Sequence, residues 1–236
     1  MKHFFRWVLF LLIPAACQKP EMLLPVNDNP GLTEINNLSQ LYIFYELKNG
    51  DTVARLNAGQ RMSSTHWVVH IDRRLKLKYL IGHLSYIHKK RHNKKSIHYK
   101  AGMHLYFSHV DSVRNVLALN RFDSLQILSP FYHSREYAAK YAQTYPEPAV
   151  HIDLKPGSVV VNDSIFSYPA DKRVLGKYLR KLAGDAPRVN LFLNADYNVY
   201  YAQYNDLYAF LKNFDTLRMH LIPKEFWYNP KETVHD

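Results

Sequence analysis

Ala149-Val150-His151-Ile152-Asp153-Leu154 alternates apolar and polar side chains, Lys155-Pro156-Gly157 turns the chain, and Ser158-Val159-Val160-Val161-Asn162-Asp163 returns it. Alternation on both sides of a Pro-Gly turn predicts a half-buried hairpin. Val174, Leu175, Tyr178, Leu179 and Leu182 then repeat at helical spacing until Gly184 and Pro187 end the stripe. Val189-Asn190-Leu191-Phe192-Leu193 is apolar enough for a central strand. Asp196 or Asn198 can cap the next helix, whose Tyr200, Tyr204, Leu207, Tyr208 and Leu211 share one face. Leu217-Arg218-Met219-His220-Leu221-Ile222 closes the block as a strand. The order over 148–222 predicts an α/β fold, small mixed sheets with helices on one face in a two-layer sandwich.

Upstream, Leu41–Leu47 and Asp51–Leu56 flank Lys48-Asn49-Gly50, a hairpin by turn chemistry. Trp67-Val68-Val69-His70-Ile71-Asp72 reads as a strand, Leu77, Leu80, Ile81, Leu84 and Ile87 as a helix, and Met103–Phe107 as a strand. Val110, Val113, Val116, Leu117 and Phe122 fit a short helix, and Leu125–Leu128 a closing strand. Fragments recur in the same order. Val69-His70-Ile71-Asp72 returns at Val150–Asp153, Asp72-Arg73-Arg74 with Lys78-Tyr79-Leu80 at Asp171–Leu179, and Phe122–Leu125 at Phe214–Leu217, at offsets of 81, 99 and 92 residues. The shared order predicts an internal duplication, the alternative being two α/β units alike by coincidence. The resulting plan is a leader over 1–16, a tether over 17–38 and a first α/β unit over 39–128. A linker over 129–147, a second unit over 148–228 and a tail over 229–236 follow. The linker, with a short helix and a Tyr/Ala alternation, can equally pack onto a neighbour.

Met1–Arg6 is basic, Trp7–Ile13 is apolar, and Pro14-Ala15-Ala16-Cys17 follows. That pattern is a secretory signal. A membrane-spanning helix needs about 20 apolar residues, far more than this run supplies before its proline. Ala15-Ala16-Cys17 resembles a lipobox, so Cys17 is expected to carry a lipid anchor, with an outer-membrane location expected from Gln18. Cys17 is the only cysteine, which excludes an intrachain disulfide and a multi-cysteine zinc site. The net charge is +11, and +9 once Lys2 and Arg6 are removed. Between Arg73 and Lys100 lie ten basic residues and no acidic one. Such a run attracts anions over about 8 Å in physiological salt. For an exported chain the candidate anions are lipid head groups, envelope polymers or an acidic protein surface rather than nucleic acid. Lys89, Lys90, Arg91, Lys94 and Lys95 are the candidate anion-binding residues, set against an ordinary solvated loop.

Over residues 148–222, Gly157 with Val161-Asn162-Asp163 and the stretch Ala195-Asp196-Tyr197-Asn198-Val199-Tyr200-Tyr201 resemble the periplasmic domain of the ExbD/TolR family. In that family an Asp after the strand is followed by Val at +3 and Tyr at +5. The resemblance implies a non-enzymatic role beside envelope proteins of a TonB- or Tol-type system. It makes Asp196, Val199 and Tyr201 candidate partner-binding residues and leaves a homodimer open. Tyr200 stands where the family has proline, and no glycine precedes the last strand. Members with motor function carry a proton-relaying Asp in a membrane helix, and here no Asp or Glu precedes Glu21.

Each candidate also has a plainer reading: Asp196 as a helix cap, and the 200–208 tyrosines as core. His88 and His92 sit one helical turn apart, yet Lys89, Lys90 and Arg91 beside them oppose a cation, so no metal or other cofactor is expected. The sequence shows no nucleophile elbow, P-loop, Rossmann glycine set or HExxH. The alternatives to a scaffold are an envelope enzyme acting on carbohydrate or peptide and an anion- or metal-binding lipoprotein.

Overall fold

In the computed structural model, which describes residues 21–59, 62, 64–95, 101–122, 126–128, 134–184, 188–214 and 218–231, the chain forms two mixed six-stranded sheets. The first contains β1 (Val26–Asn27), β2 (Leu38–Lys48), β3 (Asp51–Asn57), β4 (His66–Ile71), β5 (Leu105–Asp111) and β6 (Val116–Arg121). The second contains β7 (Gln126–Leu128), β8 (Ala149–Lys155), β9 (Ser158–Val161), β10 (Ser164–Ser167), β11 (Val189–Asp196) and β12 (Met219–Tyr228). A 3₁₀ turn (Leu77–Tyr79) leads into α1 (Ile81–Arg91); α2 (Ser134–Lys140), α3 (Lys172–Gly184) and α4 (Tyr201–Lys212) follow. The architecture is the α/β two-layer sandwich that the alternating periodicities predict.

Local chemistry explains the elements that the sequence reveals most clearly. Asn49 and Gly50 take φ of 55° and 87°, as a two-residue type I′ turn requires, and pair Lys48 with Asp51. All of β11 is buried, as suits a strand flanked by parallel neighbours and covered on both faces. Leu175 and Leu179 of α3 and Tyr204, Leu207 and Leu211 of α4 cover one face of the second sheet. They belong to a core that also takes in Leu41, Trp67 and Ile71 of the first sheet, so a single apolar interior joins the halves.

Within the two sheets, β3-β2-β4-β5 and β9-β8-β11-β12 have the same order and the same directions: antiparallel, parallel, parallel. This likeness equates β4 with β11 and β2 with β8. The Val-His-Ile-Asp match, which aligns β4 with β8, therefore joins strands at different places in their sheets.

Other expectations are corrected. Residues 110–122 form no helix: β5 runs to Asp111, whose carboxylate accepts the Val113 and Arg114 N–H groups, and Asn115 at φ 54° turns the chain into β6. Of the supposed apolar stripe, Val113, Val116 and Leu117 face water, Val113 at 78% exposed, whereas Phe122 is buried against Phe107. The strand expected to close the first unit, β7, pairs with β12 in the second sheet, which moves the boundary expected at 128. From residue 21 the expected tether is part of the fold. Arg73 N–H reaches Leu23 O at 2.8 Å, β1 pairs with β5, and Leu32 bridges Leu119. In the expected linker, Tyr137 of α2 packs on Phe192 and Phe226, on the sheet face opposite α3 and α4. The leader, Cys17, residues 96–100 and the end of the tail from 232 lie outside the described residues.

Candidate functional site

A buried aspartate stands at the end of each central strand, Asp72 directly after β4 and Asp196 as the last residue of β11. Asp72 Oδ1 accepts the Arg74 N–H at 3.0 Å, and Asp196 Oδ1 accepts the Asn198 N–H at 2.7 Å. These Asx turns re-aim the chain as each strand stops. The next side chain strengthens each of them: Arg74 grips Asp72 through Nε at 2.9 Å and Nη2 at 2.6 Å, and Asn198 Nδ2 donates to Asp196 at 3.1 Å. Leu75 and Leu77, at +3 and +5 from Asp72, are fully buried; so are Val199 and Tyr201, at +3 and +5 from Asp196.

The two turns meet. Lys76 and Tyr200 form an antiparallel bridge. Leu77 N–H donates to Val199 O at 2.9 Å and Tyr201 N–H to Leu75 O at 2.7 Å; Lys78 N–H donates to Tyr197 O at 3.0 Å and Ala202 N–H to Arg73 O at 3.2 Å. Each bond maps onto its partner when residue i is exchanged for i+124, the spacing of Asp72 from Asp196 and of Lys76 from Tyr200. Self-complementary contact of that kind is what a two-fold axis imposes. A local pseudo-two-fold axis therefore passes through the Lys76–Tyr200 bridge. Sequence comparison misses this equivalence because Arg73, Arg74, Lys76 and Lys78 look unlike Tyr197, Asn198, Tyr200 and Ala202. The recoverable signal is Asp followed by apolar residues at +3 and +5.

Beside the bridge opens a cleft of about 690 Å³, walled by Tyr45, Tyr79 and Tyr200 and floored by Arg73, Arg74 and Lys76. The Arg74 guanidinium lies 4.6 Å from the centre of the Tyr45 ring, and Lys76 Nζ lies 5.4 Å from that of Tyr200. The Asp72 hydrogen bond raises the Arg74 pKa further above its ordinary value.

The candidates named from sequence are separated. Val199 and Tyr201 are core residues that no partner can touch in this conformation, and Asp196 is 7% exposed. Nor does Asp196 cap α4: Tyr200 occupies the N-cap, without a side-chain bond. Lys89, Lys90, Lys94 and Lys95 are exposed around the end of α1, where cations also suit the helix dipole. Arg91 points the other way. It is 4% exposed, with its guanidinium 5.6 Å from the Trp67 ring centre. The His88 and His92 rings lie 4.1 Å apart, and among the described residues no three His, Cys, Asp or Glu side chains converge as metal ligands.

One contact has the chemistry of a nucleophile and a base. Ser134 Oγ lies 2.6 Å from His151 Nδ1, and Asn194 joins the Ser134 N–H, at 3.1 Å, to Asp153, at 2.6 Å. Ser134 is fully buried, so in this conformation no substrate reaches its oxygen, and the contact serves to fasten the start of α2 to the sheet. Glu225 is also fully buried: its Oε2 accepts Tyr204 OH at 2.5 Å and Trp227 Nε1–H at 3.1 Å, and burial pushes its pKa up to about 7. No family model, curated protein or solved structure matches the chain.

Proposed function

We propose that this chain is a non-enzymatic envelope lipoprotein whose two ExbD/TolR-like units bind or scaffold partners in cell-envelope transport or maintenance, without a proton path of their own. The observation that carries this reading is the doubled turn. Asp72 with Leu75 and Leu77 repeats the Asp196, Val199 and Tyr201 spacing on which the family resemblance rests, in the same buried setting. A motif used twice to build a joint is a scaffold's feature, and the side chains composing it are too buried for catalysis. Cross-linking in the native envelope, followed by mass spectrometry, tests the partner class. Cross-linked peptides from components of a TonB- or Tol-type system are expected, lost or redistributed in cells carrying Cys17→Ala, whose chain should also fail to take a fatty-acid label. Adducts confined to proteins outside envelope transport and maintenance would refute the scaffold role; equal labelling of both chains would refute the anchor.

A further inference from the structure

The cleft at the bridge holds more binding capacity than the protein itself uses. Arg74 is matched by Asp72, but among the described residues neither Arg73 nor Lys76 has a carboxylate partner. Nor do the hydroxyls of Tyr45, Tyr79 and Tyr200 have a hydrogen-bond partner among those residues. Tyr200 is 51% exposed. We infer that this cleft is a binding site for a phosphate monoester carried on a flat or apolar group. This narrows the binding-module reading and rests on it.

The charge count selects the ligand. With Arg74 and Asp72 cancelling, Arg73 and Lys76 leave two positive charges in the lining, and Glu21 acts on Arg74 from outside it. A phosphate monoester carries about −1.5 to −2 at neutral pH and three strong acceptor oxygens, whereas a single carboxylate would leave one cation unmatched. Arginine supplies a planar fork of donors, lysine a point charge, and the phenols further O–H donors. The exposed tyrosine ring offers its face to the body of the ligand. The volume lies within the range of about 300–1,000 Å³ common to small-molecule sites. Walls come from both halves of the chain, Tyr45 and Tyr79 from one and Tyr200 from the other, so an occupant bridges the pseudo-two-fold joint.

Isothermal titration of the folded chain at low salt tests the site with phenyl phosphate, inorganic phosphate and phenol as probes. Saturable binding of phenyl phosphate is expected, with weaker binding of inorganic phosphate and none of phenol. Arg73 is exposed and its side chain has no ion-pair or hydrogen-bond partner among the described residues, so Arg73→Gln with Lys76→Gln should leave the circular dichroism spectrum intact and weaken binding by about tenfold or more, as loss of charge-assisted bonds requires. Lys177→Gln with Lys181→Gln, exposed on α3 and outside the cleft lining, should bind as wild type. Tyr200→Ala, which removes the ring face as well as one hydroxyl, should weaken phenyl phosphate more than inorganic phosphate. Equal binding by wild type and the Arg73/Lys76 variant, or no saturable binding by wild type, overturns the site. Vesicles containing phosphatidic acid, compared with phosphatidylcholine alone, assign the source of the phosphate. Sedimentation lost in the Arg73/Lys76 variant identifies a lipid head group; sedimentation unaffected while phenyl phosphate binding is lost identifies a soluble ligand. Native cross-links that persist without phosphate binding overturn the ligand alone, and phosphate binding without envelope cross-links overturns the scaffold reading alone.

Discussion

Two buried side chains set opposite pH dependences. Glu225 has an Oε1 without a partner among the described residues, and burial raises its pKa to about 7, above the unfolded 4.5. From about pH 4.5 to 7 the folded chain therefore holds more protons at this site than the unfolded chain, and stability falls as pH rises. His70 is stacked on Tyr42 at 4.7 Å, its Nε2 has no partner among the described residues, and burial lowers its pKa from 6.5 to about 4. Between those values the unfolded chain takes up the proton first, so stability falls as pH drops. At about 1.4 kcal/mol per unit, each effect is at most roughly 3 kcal/mol, and over pH 4.5–6.5 they oppose one another. In urea titrations across this range, Glu225→Gln should lose the Glu225 slope and become progressively more stable than wild type as pH rises. His70→Phe should become progressively more stable than wild type as pH falls. A variant profile running parallel to wild type would refute the assignment for that residue.

At the scale of elements, a turn was legible wherever its chemistry was local. Asn49-Gly50 and Pro156-Gly157 announce their hairpins because the required backbone conformations are written into adjacent residues. Long-range partners decide the rest. The strand expected to end at Ile222 instead continues past Pro223 to Tyr228, because a bulge, which moves the pairing from Leu191–Leu221 to Leu193–Glu225, accommodates the proline. The spacing of Val110, Val113, Val116 and Leu117 suits a helix equally well, and only pairing such as Ser108 with Leu119 settles the matter for β6. The cleft was invisible because Tyr45 and Tyr200 meet only through the fold. Segment 21–38 gives the sharpest test at this scale. Gly31 takes φ 43°, and a Cβ there would sit 3.0 Å from both Ala118 Cβ and Leu119 N; Gly50 takes φ 87° with nothing near its missing Cβ. Gly31→Ala should therefore cost more than Gly50→Ala, whose backbone strain is worth about 1–3 kcal/mol. Gly59→Ala, with no positive φ and its nearest neighbour at 3.9 Å, should be nearly silent in urea unfolding. A silent Gly31→Ala would return this segment to the status of a tether.

For the whole molecule, the pseudo-two-fold joint makes the halves interdependent. The core is continuous across them: Phe107 of β5 meets Tyr201 of α4 at 6.0 Å between ring centres, and Asn27 of β1 donates to Asn205 of α4 at 2.7 Å. Lys172 of α3 also reaches Asp28 at 3.3 Å and Asp206 at 2.9 Å, tying the N-terminal segment to two helices. Residues of both sheets and of α3 and α4 share one apolar interior, so equilibrium unfolding should be one transition. Trp67 and Trp227 report on separate sheets. In chains lacking the leader, Trp227→Phe leaves Trp67 as the sole tryptophan and Trp67→Phe leaves Trp227. In each, fluorescence and far-ultraviolet circular dichroism should give the same urea midpoint. Asp72→Asn should lower that midpoint in both chains by an amount worth about 1–3 kcal/mol, since it strands the hydrogen bonds of Arg74 at the joint rather than within one half. Separate midpoints, or a shift confined to the Trp67 chain, would instead describe two units that merely touch.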